Sequence, residues 1–417
     1  MSAADQHNSA QYEANTRKFF LFSFLLNFQL WWPIWVIYLT EERGLTLGQV
    51  TLIDIPFWLS IIVLQVPGAA MADRWGRKPT LMLAATALGI AAIVFGLATS
   101  YPVILASYLV WGVGFALLFG TESAFLFDSL KAIGREDDYQ RQYGRAWGLA
   151  TAAALAGTLL GAPLAEATDL STPIVMSGAF SFMAVAVAAT FHEPAAEQKT
   201  QHHLSYGRII GDSVDILRQR PAVRYAVMFY GVVTIGSLAP VFFFQPFLRE
   251  HDIDLSQVGF WQTPARLAAV IGAVAAYRII ATFGERWTFF AMPAVIVVSF
   301  VGLGLWDSVY AQVIFPFMNF AVFLSQPTIT DYLNRRVPTE QRATVVSLTN
   351  LARSLVLIPA APMLGVLADE ASLTTAFLVG GIVTAALTLP LMAVWSPLLL
   401  REEALPPRPE AAVAQAD

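Results

Sequence analysis

The chain has 417 residues, 56% of them hydrophobic and 13% charged, with a formal net charge of -5. A soluble domain usually carries about 25% charged residues, so this composition excludes an ordinary water-exposed globule. The absence of cysteine excludes disulfides and thiolate-held metals. The five histidines, among them His202 and His203 in a polar stretch, show no metal-ligand spacing, so neither a metal nor another cofactor is expected.

The polar start, residues 1–18, has no cleavage-site pattern and reads as a cytoplasmic tail rather than a signal peptide. Twelve long apolar runs follow. Spans 1 to 6 are predicted at 19–40, 49–72, 80–99, 103–130, 143–166 and 172–191. Spans 7 to 12 are predicted at 223–247, 257–281, 287–305, 309–332, 343–367 and 373–396. A bilayer crossing needs roughly 20 mainly apolar residues. Only helices and closed barrels satisfy the backbone in lipid, and these runs are too long for barrel strands. The expected fold class is an all-α membrane protein of twelve transmembrane helices.

With the N-terminus inside, all but four of the 25 Lys and Arg residues fall in cytoplasmic segments or at their helix ends. The exceptions are Arg43 and Arg249, outside, and Arg266 and Arg353, within spans. That bias follows the positive-inside rule. An odd number of spans would spoil it, so both termini are expected in the cytoplasm, the membrane being a bacterial inner membrane.

Span 1 carries Asn27, Gln29, Trp31, Trp32 and Trp35. Its aromatics either anchor the helix at an interface or line a cavity; Asn27 lies deeper. Asp54 falls near the outer end of span 2. The turn after span 2 reads Pro67-Gly68-Ala69-Ala70-Met71-Ala72-Asp73-Arg74-Trp75-Gly76-Arg77-Lys78, with Gly76 permitting a tight turn. Span 4 holds Tyr108, then Trp111-Gly112-Val113-Gly114, then Glu122, and ends at Asp128. Glu122 lies six residues before Asp128, roughly 9 Å deeper at helical rise. An ionisable group inside a span is a site hypothesis by default. Glu122 is therefore the first candidate for a protonatable carboxylate, with Asp54 next; the alternative is a locked structural ion pair.

Span 5 spaces small residues as Gly148, Gly157, Gly161, Ala162, Pro163. The interruption 192–222 begins as a linker, and 204–217 has helical apolar spacing suited to an amphipathic helix on the inner leaflet or to a plain linker helix. It divides the chain into 1–191, the linker 192–222, and 223–417. In span 7, Phe242, Phe243, Phe244 and Gln245 occupy the region related to the span 1 aromatics. Span 10 adds Asn319 and Gln326. Arg353, ten residues into span 11, falls near the midplane, where it can partner Glu122 or an anionic substrate.

The two halves also match each other. Leu47, Gln49, Val50, Pro56 and Gly76 recur 208 positions on as Leu255, Gln257, Val258, Pro264 and Gly284. Asp128, Leu164, Ala165 and Leu170 recur 203 positions on as Asp331, Leu367, Ala368 and Leu373, with Glu166 answered by Asp369. Six spans per half make the repeat parallel, about an axis along the membrane normal. Such halves commonly enclose a midplane site and alternate access by rocking.

The turn Asp73-Arg74-Trp75-Gly76-Arg77-Lys78 resembles the signature loop of the major facilitator superfamily, G-x-x-x-D-R-x-G-R-K. Ala69 stands at the leading glycine, and Phe283-Gly284-Glu285-Arg286 is a decayed second copy. The resemblance implies two pseudo-symmetric six-helix bundles, with spans 1, 4, 7 and 10 around a central cavity. It also implies a gating latch formed by Asp73, Arg74, Gly76, Arg77, Lys78, Asp128 and Asp331, with Asp73 facing the start of span 11; the alternative is that these basic residues only set topology. The span 5 glycines are similar to the family's antiporter motif, with the proline one place late. Span 4 lacks the arginine tied to proton coupling in many drug:proton antiporters, having Tyr108 at that place.

No nucleophile elbow, zinc motif or phosphate loop is found, so an enzyme is not expected. Nucleic-acid binding has no support. The expectation is proton-coupled efflux of a small amphipathic organic molecule, the chain acting as a monomer in the bilayer. Substrate contacts are expected from Asn27, Trp31, Tyr108, Phe243, Gln245, Asn319 and Gln326. Uptake by a symporter or uniporter, and lipid flipping, remain alternatives.

Overall fold

The computed structural model describes residues 3–194, 215–338 and 341–403, with no strand among them. Most of the expected amphipathic stretch 204–217 and the tail from 404 lie outside the described residues. Among the described residues, ten stretches are long and apolar enough to cross a membrane. One of these, Leu255–Leu305, holds two crossings, because Gly284 at φ 77° and ψ 163° breaks the helix inside it. Span 1 is not among the ten because it is not continuous. Its helix Ala3–Asn27 stops, residues 28–34 are non-helical, and Trp35–Ile37 runs into a π-helical turn, Tyr38–Glu42. Counting the divided stretch twice and adding the broken first span gives twelve crossings.

Local chemistry explains where the helices start and stop. Thr46 and Gln49 form a capping box at the start of Leu47–Leu52, which leads into Asp54–Trp75. Gly76, at φ 102°, ends span 2 and begins span 3, Arg77–Leu97. Few residues other than glycine hold that backbone. Span 4 is Tyr101–Leu118 and then Thr121–Lys131, interrupted at Gly120 with φ 81°. Spans 5 and 6 are Tyr139–Ala167 and Ser171–Ala189. Span 7 starts with Pro221 in the first turn, passes through a 3₁₀ turn, Thr234–Ser237, and a π-helical turn, Ala239–Phe243, and ends as Phe244–Glu250. Span 10 is Ile314–Asn334, span 11 Arg342–Glu370, and span 12 Leu373–Glu403.

The crossings form two packing units. The first contains spans 1 to 6 together with Phe244–Pro264, the end of span 7 and the start of span 8. Span 3 packs on spans 4 and 6, and span 1 packs on spans 5 and 6. Helix association in lipid depends on close van der Waals approach, which small residues permit. A Cβ on Gly112 of span 4 would lie 2.6 Å from the Phe57 carbonyl oxygen of span 2. The second unit contains the rest of span 7, span 8 from Ala265, and spans 9 to 12. Span 7 is its hub, packing on spans 10, 11 and 12. Fully buried Trp395 stacks near Phe229, Phe289 and Tyr332, and its indole N–H donates to the Tyr332 hydroxyl at 3.3 Å.

Candidate functional site

The turn between spans 2 and 3 is held from three sides. Arg77 Nη1 lies 2.8 Å from Asp73 Oδ1, and Arg77 Nε lies 3.4 Å from Asp128 Oδ2 at the end of span 4. Arg74 is exposed and Lys78 half-exposed. The third hold is Glu193, just past span 6. Its two carboxylate oxygens accept the Arg77 and Lys78 backbone N–H groups at 2.6 and 2.7 Å. These are first-turn amides of span 3 that have no partner within the helix, and an acidic group there also meets the favourable end of the helix dipole. A Cβ on Gly76 would sit 2.8 Å from the Glu193 carboxyl carbon, so the glycine also admits the cap. Asn15, fully buried in the helix that leads into span 1, fixes the neighbouring chain. It donates to Ser129 Oγ at 3.1 Å and to the His192 carbonyl at 2.8 Å, and accepts from the His192 amide at 2.9 Å.

The second unit repeats this arrangement with the charges exchanged. Gly284 takes nearly the backbone conformation of Gly76, and Glu285 Oε2 accepts from Arg336 Nη2 at 2.9 Å. The Arg336 guanidinium lies 3.5 Å from the Tyr332 ring centroid, and Arg220 Nη1 donates to the Arg336 carbonyl at 2.7 Å. Asp331, matched to Asp128 in sequence, instead pairs with Arg335 on its own helix at 2.8 Å. The residue that pairs with the turn in the second unit, as Asp128 does in the first, is Arg336.

At the far end of the first unit, away from the Asp73–Lys78 turn, the break in span 1 is packed from both sides. Gly157 and Gly161 of span 5 make room for it. A Cβ on Gly157 would lie 2.7 Å from the Gln29 carbonyl oxygen, and one on Gly161 would collide with that of Leu30. Gly148 has nothing within 4 Å. Leu30 N donates to Ser177 Oγ at 2.9 Å. On the other side stands Gln245, fully buried. Its Oε1 accepts from the Val36 amide at 2.9 Å, with the Ile37 amide at 3.4 Å, and its Nε2 donates to the Trp32 carbonyl at 2.9 Å. Arg249 pairs with Glu41 at 2.7 Å, and the Ser256 amide donates to Glu166 at 2.8 Å.

The remaining expected substrate contacts are distributed. Trp31 and Tyr108 both pack on Trp111, at 4.8 and 5.6 Å between ring centroids, and Tyr108 is buried. Asn27 is exposed, its amide donating to the Ser23 carbonyl at 2.8 Å. Phe243 is fully buried against Phe377. Asn319 is half-buried and donates to the Ala265 carbonyl at 3.1 Å, while Gln326, two turns along the same helix, is exposed. Asp54 is half-buried within electrostatic reach of Tyr108, and Arg353 is half-buried within reach of Tyr230. Glu122 is half-buried in the first turn after the Gly120 break, and it makes no hydrogen bond or ion pair among the described residues. Glu122 belongs to the first unit and Arg353 to the second.

A sequence profile described as Major Facilitator Superfamily matches residues 19–361. The chain belongs to the major facilitator superfamily. As a member of that superfamily it is a transporter. Its solved structural relatives have the same fold at low identity. A nucleoside transporter, NupG, aligns with a TM-score of 0.75 at 12% identity, covering 91% of this chain and 98% of that one. A bacterial homolog of the human lysosomal transporter Spinster, inward-facing and unoccupied, aligns at 0.68 and 16%, covering 95% and 99%. A D-xylose-proton symporter aligns at 0.69 and 12%, covering 90% and 96%. Comparison with curated protein sequences finds no match.

Two anchors of this major facilitator protein, Glu193 and Arg336, do not stand out in the sequence pattern. Glu193 lies in what reads as a linker, although a carboxylate directly before Pro194 and just after a span is a detectable sign of a fixed turn. Arg336 escapes a match of the repeat by identical residues, because its charge is opposite to that of Asp128.

Proposed function

We propose that the chain is a secondary active transporter that moves a small amphipathic organic molecule outward in exchange for protons, with Glu122 carrying the proton. One observation carries this reading. Glu122 is a half-buried carboxylate at a helix break in a membrane span, with no ion pair or hydrogen bond among the described residues. An ionisable group so placed is costly and is a functional-site hypothesis by default, and a carboxylate freed from any salt bridge can take up and release a proton. Alternating access would carry it between the two sides, with the Asp73–Lys78 turn facing the cytoplasm, as the distribution of Lys and Arg supports. The reading includes action as a monomer in a bacterial inner membrane, with Asn27, Trp31 and Gln326 on the substrate route.

The test is transport by the purified protein in liposomes under an imposed pH gradient. Glu122→Gln should abolish pH-driven uphill transport while leaving substrate-driven exchange measurable. Uphill transport at the normal rate in Glu122→Gln would refute the assignment.

A second reading, uptake by proton symport, draws support from the likeness to a D-xylose-proton symporter. The same liposomes separate the two. Antiport accumulates substrate on the proton-rich side, and symport on the proton-poor side.

A further inference from the structure

Glu122 is not the only unusual group at its end of the first unit. Tyr139 and Tyr143 of span 5 both lie within electrostatic reach of its carboxylate. Their rings are stacked, 5.5 Å between centroids and 23° between planes, and Phe127 meets Tyr139 edge-on at 5.5 Å. Both tyrosines are half-exposed rather than packed away. Gly120 and Gly144, each within two residues of a member of the cluster, present open space where a side chain would begin.

We propose that Glu122, Tyr139 and Tyr143 form a binding site for an organic ammonium ion. The proposal rests on the reading of Glu122 as the working carboxylate and names the chemistry of what it exchanges. An alkylated ammonium cannot satisfy a carboxylate by hydrogen bonds alone. It is held by the opposite charge and by the negative faces of aromatic rings, which replace its loose hydration shell. The cluster supplies one carboxylate and two adjacent rings. Among the described residues no group of three or more His, Cys, Asp or Glu side chains could hold a metal ion.

The nearby charges are consistent with a cation here. Asp128, one and a half turns on from Glu122, is occupied by Arg77. Arg141 and Arg145 are on the same helix as the tyrosines but on its opposite side, about 160° to 240° around the axis from Tyr139 and Tyr143 at 100° per residue. Both arginines are exposed. Lys131, also exposed, is more than two turns from Glu122 at the end of the helix.

The experiment is isothermal titration of the full chain in lipid nanodiscs with benzyltrimethylammonium. Its uncharged isostere neopentylbenzene, in which carbon replaces the charged nitrogen, serves as the control. Saturable binding of the cation and none of the isostere is expected. Glu122→Gln should weaken binding at least about tenfold, a loss of one unit of 1.4 kcal/mol. Tyr143→Leu should weaken it severalfold, while Tyr143→Phe, which keeps the ring, should bind as the native chain does. Equal binding of cation and isostere, unchanged binding in Glu122→Gln, or equal binding in Tyr143→Leu and Tyr143→Phe would each overturn the site. If Glu122→Gln fails to fold, the leucine and phenylalanine variants decide the matter alone. The coupling reading stands or falls separately. Lost ammonium binding with normal pH-driven flux in Glu122→Gln would sink proton coupling and keep the site. Normal binding with lost flux would do the reverse.

Discussion

Glu285 and Arg336 form an ion pair across 51 residues of chain, the same separation that divides Arg77 from Asp128 in the first half, with acid and base exchanged. The repeat has kept the position of the pair and not its polarity. Both partners in the second half are less than one-fifth exposed, so the pair is shielded more than a surface salt bridge. The glycine before each, Gly76 and Gly284, keeps a positive φ. The conserved element is a helix-to-helix turn tied by one ion pair to the end of the helix two crossings further on.

Polarity should therefore be exchangeable. Glu285→Arg and Arg336→Glu are each expected to destabilise the protein by about 2 kcal/mol, the scale of a lost charge-assisted hydrogen bond. The double exchange should recover at least half of that loss, measured by thermal unfolding in detergent. Recovery will not be complete, because Arg336 also lies over the Tyr332 ring. Additive losses in the double variant would show that the pair has no coupling of its own.

The crossings, the glycine turns and the charged loop were legible in the sequence because each depends on local chemistry. Apolar length marks a span, and a glycine between charged residues marks a turn. The break in span 1 was not legible. Residues 28–34 are mostly apolar, and although Pro33 disfavours a helix there, the irregular backbone is accommodated by Gly157 and Gly161 from a span more than a hundred residues away. Phe244–Pro264 likewise packs with the first six spans through partners distant in sequence, Val36 with Gln245 and Glu166 with Ser256. Gln245 is expected from sequence to contact substrate, whereas its partners here are backbone groups of span 1, which sequence alone does not show.

The span 5 glycines give a contrast that separates packing from motif resemblance. Gly161→Ala would drive a methyl into the Leu30 carbonyl, whereas Gly148→Ala meets open space. Overpacking of that kind costs about 1–3 kcal/mol. Gly161→Ala should lower the unfolding temperature and impair transport, and Gly148→Ala should leave the unfolding temperature unchanged or slightly raised. Equal sensitivity at both positions would point to a role for the spacing beyond making room for span 1.

Glu193 makes a prediction of smaller size. Its carboxylate accepts the Arg77 and Lys78 amides in a water-exposed place. Glu193→Ala should cost about 0.5–1 kcal/mol, the lower part of the range for a lost helix cap. Glu193→Asp shortens the side chain by one carbon and should retain part of the effect. Unfolding by increasing temperature, with both variants compared to the native chain, reads this directly. An alanine variant as stable as the native protein would mean that water replaces the cap without loss.

Gln245 gives the sharpest prediction, because one side-chain amide satisfies three backbone groups where span 1 resumes its helix after the break. In a membrane a backbone group without a partner is expensive, and irregular backbone persists only where protein or a water-filled cavity supplies one. Gln245→Leu keeps the size of the side chain and removes both polar atoms. It leaves the Val36 and Ile37 amides and the Trp32 carbonyl without this partner, a penalty of about 1–3 kcal/mol for each group that finds no substitute. Water is the available substitute, and water reaches these groups only if Phe244–Pro264 moves away from span 1. The variant should therefore favour a state in which the far end of the first unit is open. The chain has no cysteine, so a single reporter can be placed without background. Leu248, one turn beyond Gln245, is fully buried. Leu248→Cys should react slowly with a membrane-impermeant maleimide in the native background and at least about tenfold faster with Gln245→Leu, which corresponds to a shift of 1.4 kcal/mol in the opening equilibrium. Gln245→Glu provides the control. Its carboxylate can still accept from the Val36 amide but cannot donate to the Trp32 carbonyl when ionised, so its labelling rate should fall between the two. A Leu248→Cys reporter that labels at the same slow rate in all three backgrounds would show that the segment is held by Arg249–Glu41 and by apolar packing, with Gln245 contributing nothing to the closed state.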